Sequence, residues 1–317
     1  MSKKILFIDS NHPHLHETLL EKGFVCDLFY DKPTEELKKL IPNYDGIVIR
    51  SKFKITKEII DSAPNLKCIA RAGAGMENID VAAAKEKNII CANTPEGNRD
   101  AVAEHALGML LMLLNKLKKA DAEVRAGKWV REENRGNELG GKTIGIIGYG
   151  NTGKAFAQKL QGFSVNILAY DKYKKDYAAT KGIKETGVEE IFEKADVLSL
   201  HIPLTEETNY LVNDNFINKF KKHIYIINTA RGKCLNTADL VKNLESGKIF
   251  GACLDVLEYE DVSFGALNSE FLNQNSALKY LINSDKVILT PHIAGWTHES
   301  NYKIAEILAR KIISVFV

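Results

Sequence analysis

An arginine, a glutamate (Glu260) and a histidine carry the chemistry most readily available to this 317-residue chain. Arg231 stands in Asn228-Thr229-Ala230-Arg231-Gly232. Glu258 and Glu260 stand in the acidic run 255–261 (DVLEYED), and His292 in Thr290-Pro291-His292-Ile293-Ala294-Gly295. Each stretch follows a short apolar run, which puts each at the end of a strand, where open α/β sheets bind their ligands. The planar guanidinium of Arg231 suits bidentate capture of a carboxylate and polarisation of a carbonyl. An imidazole passes protons near neutral pH. A glutamate beside it would orient the ring and stabilise the charge it gains with a second proton. Together these groups suit a redox reaction on a hydroxy or keto acid, provided a hydride carrier is held nearby.

The carrier's site is Lys142 to Asp171, KTIGIIGYGNTGKAFAQKLQGFSVNILAYD. The apolar run Thr143–Ile147 turns through Gly148, Tyr149, Gly150, Asn151, Thr152 and Gly153 into a helical pattern. A second apolar run, 165–170, ends at Asp171. Strand, glycine-rich turn, helix, strand and acid come in the order a dinucleotide site needs. Gly148 permits the tight turn, Gly150 lets backbone approach a pyrophosphate, and Gly153 lets helix pack close to strand. The helix N-terminus offers N–H groups and partial positive charge to the phosphates. Asp171 lies near the expected distance of about 20 residues past the turn for a carboxylate bonding both ribose hydroxyls. It would also repel a 2′-phosphate, so NAD is the expected cofactor.

The remaining elements must position these groups. Short β-type runs at 5–9, 24–29, 46–50, 66–71 and 88–93 alternate with amphipathic stretches at 15–22, 34–40, 56–61 and 81–87. That alternation predicts a parallel, doubly wound unit. Pro95 interrupts the polar cluster at 93–100. A helix is expected from 101 to 119, then a charged connection over 125–141. The glycine turn opens a second α/β unit, with later strands at 196–200, 224–228, 249–256 and 286–290. A helical piece is expected at 276–282 and a long closing helix at 297–317. The fold class is therefore α/β: two doubly wound parallel-sheet domains, one of them a Rossmann dinucleotide-binding domain, with a ligand cleft expected between them.

Composition narrows the partners. Lys+Arg 43 against Asp+Glu 41 leaves +2, so no global field draws nucleic acid or an acidic membrane. The most apolar stretch, 106–114, is about half of the roughly 20 residues of a membrane span and reads as a buried helix. The first ten residues hold too short an apolar run for a signal peptide. The 5 cysteines show no metal-binding spacing, and the histidines of HPHLH (12–16) read as a solvated loop, so no metal is expected. A cytoplasmic enzyme fits these features.

The motifs resemble the D-isomer-specific 2-hydroxyacid dehydrogenases. The matching stretches are NTPEGNRDAVAEHALGMLL (93–111), IGIIGYGNTG (144–153), HIPLTEET (201–208), NTARG (228–232), GACLDVLEYE (251–260) and LTPHIAG (289–295). The resemblance implies that His292 is the acid/base, Glu260 its partner with Glu258 the alternative, and Arg231 the substrate-orienting residue. It implies cofactor contacts from the glycine turn, Asp171, His201, Pro203, Thr208, Thr229, Ala230, Asp255 beside the nicotinamide, His292 and Gly295. It also implies a discontinuous first domain, 1–98 with 295–317, around an NAD-binding domain at 99–294, and a homodimer through the helix at 101–119. Within the family, RAGAGMENID (71–80), VIRS (48–51) and GKWVR (127–131) are most similar to the phosphoglycerate dehydrogenases. In that version the N–H groups of Ala74 and Gly75 receive the substrate carboxylate, and Arg50, Arg71 and Arg131 receive a 3-phosphate. The expected substrate is then 3-phosphoglycerate, an entry to serine biosynthesis. Glyoxylate or hydroxypyruvate reduction and an NAD(H)-sensing, corepressor-like role are the alternatives. Two features depart from the pattern: Asp261 stands where the family usually has proline, and the link to His292 is long. The regulatory C-terminal domains of the longer phosphoglycerate dehydrogenases are absent from this sequence, so serine feedback through them is not expected.

Overall fold

The computed structural model describes residues 2–177, 182–260 and 275–317. The chain divides into two units, Met1–Arg99 with Trp296–Val317, and Asp100–Gly295. Asp261 and the first part of the link to His292 lie outside the described residues. The end of that link is a helix, Ser276–Asn283.

The first unit is a five-stranded parallel sheet in the order β2-β1-β3-β4-β5. Its strands are β1 (Lys4–Phe7), β2 (Val25–Leu28), β3 (Gly46–Ile49), β4 (Cys68–Arg71) and β5 (Ile90–Ala92). Successive side chains of a strand point to opposite faces, and both faces here are apolar. Leu6, Ile47, Ile49 and Ile69 pack with Ile59 and Ala83 on one side. Ile5, Phe7, Val48 and Ala70 pack with Leu15, Leu19, Leu308 and Ile312 on the other. The last two belong to the closing helix His298–Phe316, which a capping box between Thr297 and Ser300 starts. Fully burying each such side chain contributes about 1.5–3 kcal/mol, which ties the chain's end to its first domain. HPHLH is not a solvated loop. Pro13 opens the helix Pro13–Glu21, with Nδ1 of His12 accepting from the N–H of His14. His14 stacks on Tyr302 at 4.7 Å between ring centres. Proline's fixed φ suits the first helical position, so it starts this helix rather than breaking it.

The second unit is a seven-stranded parallel sheet in the order β12-β11-β10-β9-β6-β7-β8. The strands are β6 (Thr143–Ile147), β7 (Asn166–Tyr170), β8 (Ile183–Glu185), β9 (Val197–Leu200), β10 (Ile224–Asn228), β11 (Ile249–Leu254) and β12 (Val287–Leu289). From β6 the chain runs outward through β7 and β8, then returns to β9 and proceeds the other way. The switch point therefore lies between β6 and β9, where a doubly wound sheet opens a crevice. The helices Arg99–Leu114 and Asn151–Leu160 cover one face, meeting Ile144, Ile146, Val197 and Ile227. The helix expected at 101–119 ends instead at Leu114. Lys116 adopts a left-handed conformation at φ 52°, and a second helix, Leu117–Arg125, starts after it. Its ammonium is bonded to the Glu133 carbonyl at 2.7 Å, which helps fix the break.

All five cysteines are reduced. Among the described residues, no helix is long and apolar enough to cross a membrane.

Candidate active site

The glycine turn sits at the switch point. Gly148 follows β6 at φ 91°, and a Cβ there would lie 2.3 Å from the His201 carbonyl oxygen at the end of β9. A Cβ on Gly153 would lie 2.0 Å from the Gly148 oxygen, so helix and turn touch backbone to backbone. Around Gly150 nothing comes within 4 Å of an added Cβ. Gly150 caps the helix Asn151–Leu160 without a side-chain bond, and the first helical turn holds no acid. Its N–H groups are thus presented to a ligand from outside the helix.

Burial would push the Asp171 carboxyl up, but the N–H groups of Tyr149, Tyr173 and Lys174 and the charge of Lys174 outweigh it and hold it below the usual range. The three bonds measure 2.8, 3.0 and 3.1 Å. Lys172 is committed to Glu207 at 2.7 Å and Lys174 to the Tyr149 carbonyl at 3.2 Å. His201 is buried under the turn, its Nε2 2.9 Å from Ser199 Oγ and its ring against Phe156. Burial pushes its imidazole down to about 3, so it is neutral. Among the described residues His201 Nδ1 and Thr229 Oγ1 are buried without a hydrogen-bond partner, a condition native interiors rarely leave unfilled. A cradle that excludes Cβ atoms, bare helical N–H groups and a fixed carboxylate fit a dinucleotide. Thr208 spends its hydroxyl locally, donating to the Pro203 carbonyl at 2.7 Å and closing the turn after β9.

Buried Asn228 ends β10 and clamps the next turn, with its amide oxygen accepting from Ala230 N–H and its NH₂ donating to the Arg231 carbonyl. Arg231 Nη1 bonds the Ala230 carbonyl at 2.7 Å. A Cβ on Gly232 would lie 1.9 Å from the Leu257 carbonyl oxygen, so the loops after β10 and β11 are pressed together. Of the two glutamates, Glu258 is committed to structure. It accepts from Tyr210 Oη at 2.8 Å and from the Thr237 N–H, at the head of the helix Thr237–Glu245, at 3.0 Å. Glu260 is the one that reaches the histidine, with Oε2 2.9 Å from His292 Nδ1.

His292 is held at φ 56°, a left-handed conformation that costs a non-glycine residue on the order of 1 kcal/mol or more and persists only where its surroundings impose it. The restraint comes from Asp255. Its carbonyl accepts the His292 N–H at 2.7 Å. Its carboxylate, 1% exposed, accepts from Thr290 Oγ1 at 2.6 Å, Ile293 N–H at 2.8 Å and Ala294 N–H at 2.9 Å. The residue expected beside the nicotinamide therefore anchors the histidine's loop. Two members of this arrangement had no role in the sequence reading: Thr290, and His105, whose Nε2 is 3.0 Å from the Thr290 hydroxyl. Both lie inside quoted motifs, yet nothing in the sequence pairs them.

Of the other expected residues, Arg50, Arg71, Ala74 and Gly75 belong to the first unit, and Arg131 and Gly295 to the second. Arg71 ends β4, and Arg50 directly follows the paired strand β3. The guanidinium of Arg50 lies 3.7 Å from the centre of the Trp296 ring. Burial lowers it from the ordinary arginine value, against the pull of Asp9. Asp9 Oδ2 accepts the N–H groups of residues 50, 51 and 52 at 2.6, 3.1 and 3.3 Å, which fixes this loop. The Arg71 side chain lies over Gly73, where a Cβ would be 1.8 Å from Nη1. Among the described residues nothing accepts from the N–H groups of Ala74 and Gly75. Arg131 stands exposed in the second unit, beyond the helix Leu117–Arg125. No cluster of three or more metal-ligating side chains occurs among the described residues.

Residues 107–294 match the model of the NAD-binding domain of D-isomer specific 2-hydroxyacid dehydrogenases. The chain is 38% identical over 278 residues to a hydroxypyruvate reductase of Thermotoga maritima, covering 88% of this chain and 87% of that one. It is 37% identical over 313 residues to the D-3-phosphoglycerate dehydrogenase of Archaeoglobus fulgidus. That match covers 98% of this chain but 57% of the relative, so the chain spans little more than half its length. A solved structure of Aquifex aeolicus D-lactate dehydrogenase, complexed with NAD and lactic acid, aligns with TM-score 0.82 at 29% identity over 99% of this chain and 95% of that one. The glycine cradle, the strand-end groups and these matches agree: the chain belongs to the D-isomer specific 2-hydroxyacid dehydrogenase family and carries its NAD-binding domain.

Proposed function

We propose that the chain catalyses reversible hydride transfer between NAD and C2 of a small D-2-hydroxy acid, with 3-phosphoglycerate as the substrate. The observation that carries the reading is the 2.9 Å contact between Glu260 and His292 Nδ1, in the same unit as Arg231 and the glycine turn. When held at the glycine turn, NAD would supply the hydride acceptor for oxidation and NADH the donor for reduction. With Nδ1 engaged by Glu260, Nε2 of His292 takes the hydroxyl proton in oxidation and gives it back in reduction. Such acid–base help contributes about 10²–10⁴-fold. Glu260 stabilises the imidazolium that forms. Arg231 pairs with the substrate carboxylate and stabilises charge on the reacting oxygen.

The phosphorylated substrate is supported by Arg50, held over the Trp296 ring on a loop fixed by Asp9, and by Arg71 one strand away. Ala74 and Gly75 would receive the carboxylate, and Arg131 would add charge. A hydroxypyruvate or glyoxylate reductase is the second reading, favoured by the 38% identity to the Thermotoga enzyme. The test compares kcat/KM on D-3-phosphoglycerate and D-glycerate for wild type and Arg50→Ala. A preference for the phosphorylated acid that Arg50→Ala abolishes supports the first reading; equal or reversed values support the second. Turnover of either acid removes the sensor alternative. We also propose a homodimer through the helix Arg99–Leu114 and the stretch after it, where Met112, Leu117, Val124 and Trp129 are 37, 52, 53 and 82% exposed. A monomer in light scattering would contradict it.

A further inference from the structure

His105 lies on the helix Arg99–Leu114, far in sequence from the residues that react. Its Nε2 is 3.0 Å from Thr290 Oγ1 and 3.6 Å from Asp255 Oδ1. The Thr290 hydroxyl has one proton and two oxygen or nitrogen neighbours. A carboxylate only accepts, so that proton goes to Asp255, 2.6 Å away. The Met109 sulfur, at 3.8 Å, is the weaker acceptor. Oγ1 must then accept from His105, which fixes the tautomer with the proton on Nε2. The bonds run in one direction, from His105 through Thr290 to Asp255, and the same carboxylate takes the N–H groups of Ile293 and Ala294. His292 sits inside this ring of contacts, with its strained backbone pinned on both sides.

We propose that His105 is a positioning residue: acting through Thr290 and Asp255, it holds the loop that aims His292. This rests on His292 being the acid/base of the proposed reaction. Loss of the Nε2 donor lets the hydroxyl rotate away from the carboxylate and loosens the loop at its only strained residue among 290–294. A glutamine at the position keeps an N–H donor at similar reach, whereas leucine keeps bulk without one.

The experiment compares wild type with His105→Leu, His105→Gln, Thr290→Val and the His105→Leu/Thr290→Val double variant. It reads kcat on the better hydroxy acid, the NADH dissociation constant, and hydrogen exchange of the amides of 292–294. For His105→Leu we expect kcat to fall about tenfold, faster exchange at 292–294 and an unchanged NADH constant. His105→Gln should stay within about twofold of wild type in all three, and the double variant should be no worse than the poorer single one, as residues in one network are not additive. Unchanged exchange in His105→Leu, a glutamine variant as impaired as leucine, or multiplying losses would overturn the proposal. Faster exchange with full kcat would overturn the catalytic role and leave only a structural contact. If wild type turns over no D-2-hydroxy acid, the reaction assignment fails on its own, and the exchange arm still decides whether His105 holds the loop.

Discussion

Replacing two glycines of one turn separates what packs the dinucleotide cradle from what admits the ligand. In Gly153→Ala the new Cβ would sit 2.0 Å from the Gly148 carbonyl oxygen, with His201 Cβ 3.3 Å away on another side. The obstacle is backbone, so the helix has to withdraw by about 1 Å from a close-packed turn. Alanine gains at most about 1 kcal/mol of helix propensity over glycine, while overpacking against an unyielding neighbour costs about 1–3 kcal/mol or more. We expect a net loss of about 2 kcal/mol, which lowers Tm by about 4–8 °C in a domain of this size. Gly150 is the control. Its extended backbone, φ −84° and ψ −150°, suits alanine, and a Cβ there meets nothing within 4 Å. Gly150→Ala should therefore melt within about 1 °C of wild type yet bind NADH at least tenfold more weakly, about 1.4 kcal/mol. Its methyl would occupy the open side of Gly150, where the pyrophosphate is expected to approach. Thermal melts by circular dichroism and NADH fluorescence titration read the two effects. A Gly153→Ala protein as stable as wild type, or a Gly150→Ala protein binding NADH normally, would refute the reasoning.

Other perturbations test other parts of the account. His201 is neutral when folded, near 3 against an ordinary 6.5, so the unfolded chain takes up its proton first as pH falls. Stability present above pH 6.5 is lost below it, by about 1.4 kcal/mol between pH 7.5 and 5.5. Urea unfolding should show that loss in wild type and less of it in His201→Gln; parallel curves would exclude a buried neutral ring. The Asp171 carboxylate, held ionised by backbone N–H groups, should favour NADH over NADPH in kcat/KM, and Asp171→Asn should narrow the gap; equal wild-type values would contradict the role. Asp9→Ala strips the anion from three loop N–H groups, a loss of about 1–3 kcal/mol. Substrate KM should rise with the NADH constant unchanged, and an unchanged KM would detach this loop from substrate binding.

The central strands of both sheets were legible because they are buried on both faces. Thr143–Ile147 and Ile224–Asn228 are apolar runs with one polar residue at an end, and both strands keep those limits. β8 escaped notice because it has three residues, one of them buried, at a sheet edge. The break at Lys116 has neither glycine nor proline to announce it, and apolar spacing continues through Leu117. HPHLH reads as a loop although it opens a helix, because proline breaks a helix interior but favours its first turn. Periodicity shows that 297–317 is a helix but not which sheet it packs on; the family resemblance supplied that. The groups proposed to react, Arg231, Glu260 and His292, stand in short motifs at strand ends. The groups that hold them were harder to see. Asp255 takes bonds from the loop beyond β12, and His105 meets Thr290 across 185 residues of sequence. Such contacts exist only once β11 and β12 are in register.

In the proposed hydride transfer, His292 is the residue that moves the proton. Steady-state NADH oxidation or formation on the preferred hydroxy or keto acid, measured for wild type and His292→Ala beside NADH titrations of both, tests it most directly. His292→Ala should show a kcat about 10²–10⁴-fold lower with NADH affinity within about twofold of wild type. Unchanged turnover in His292→Ala would contradict it.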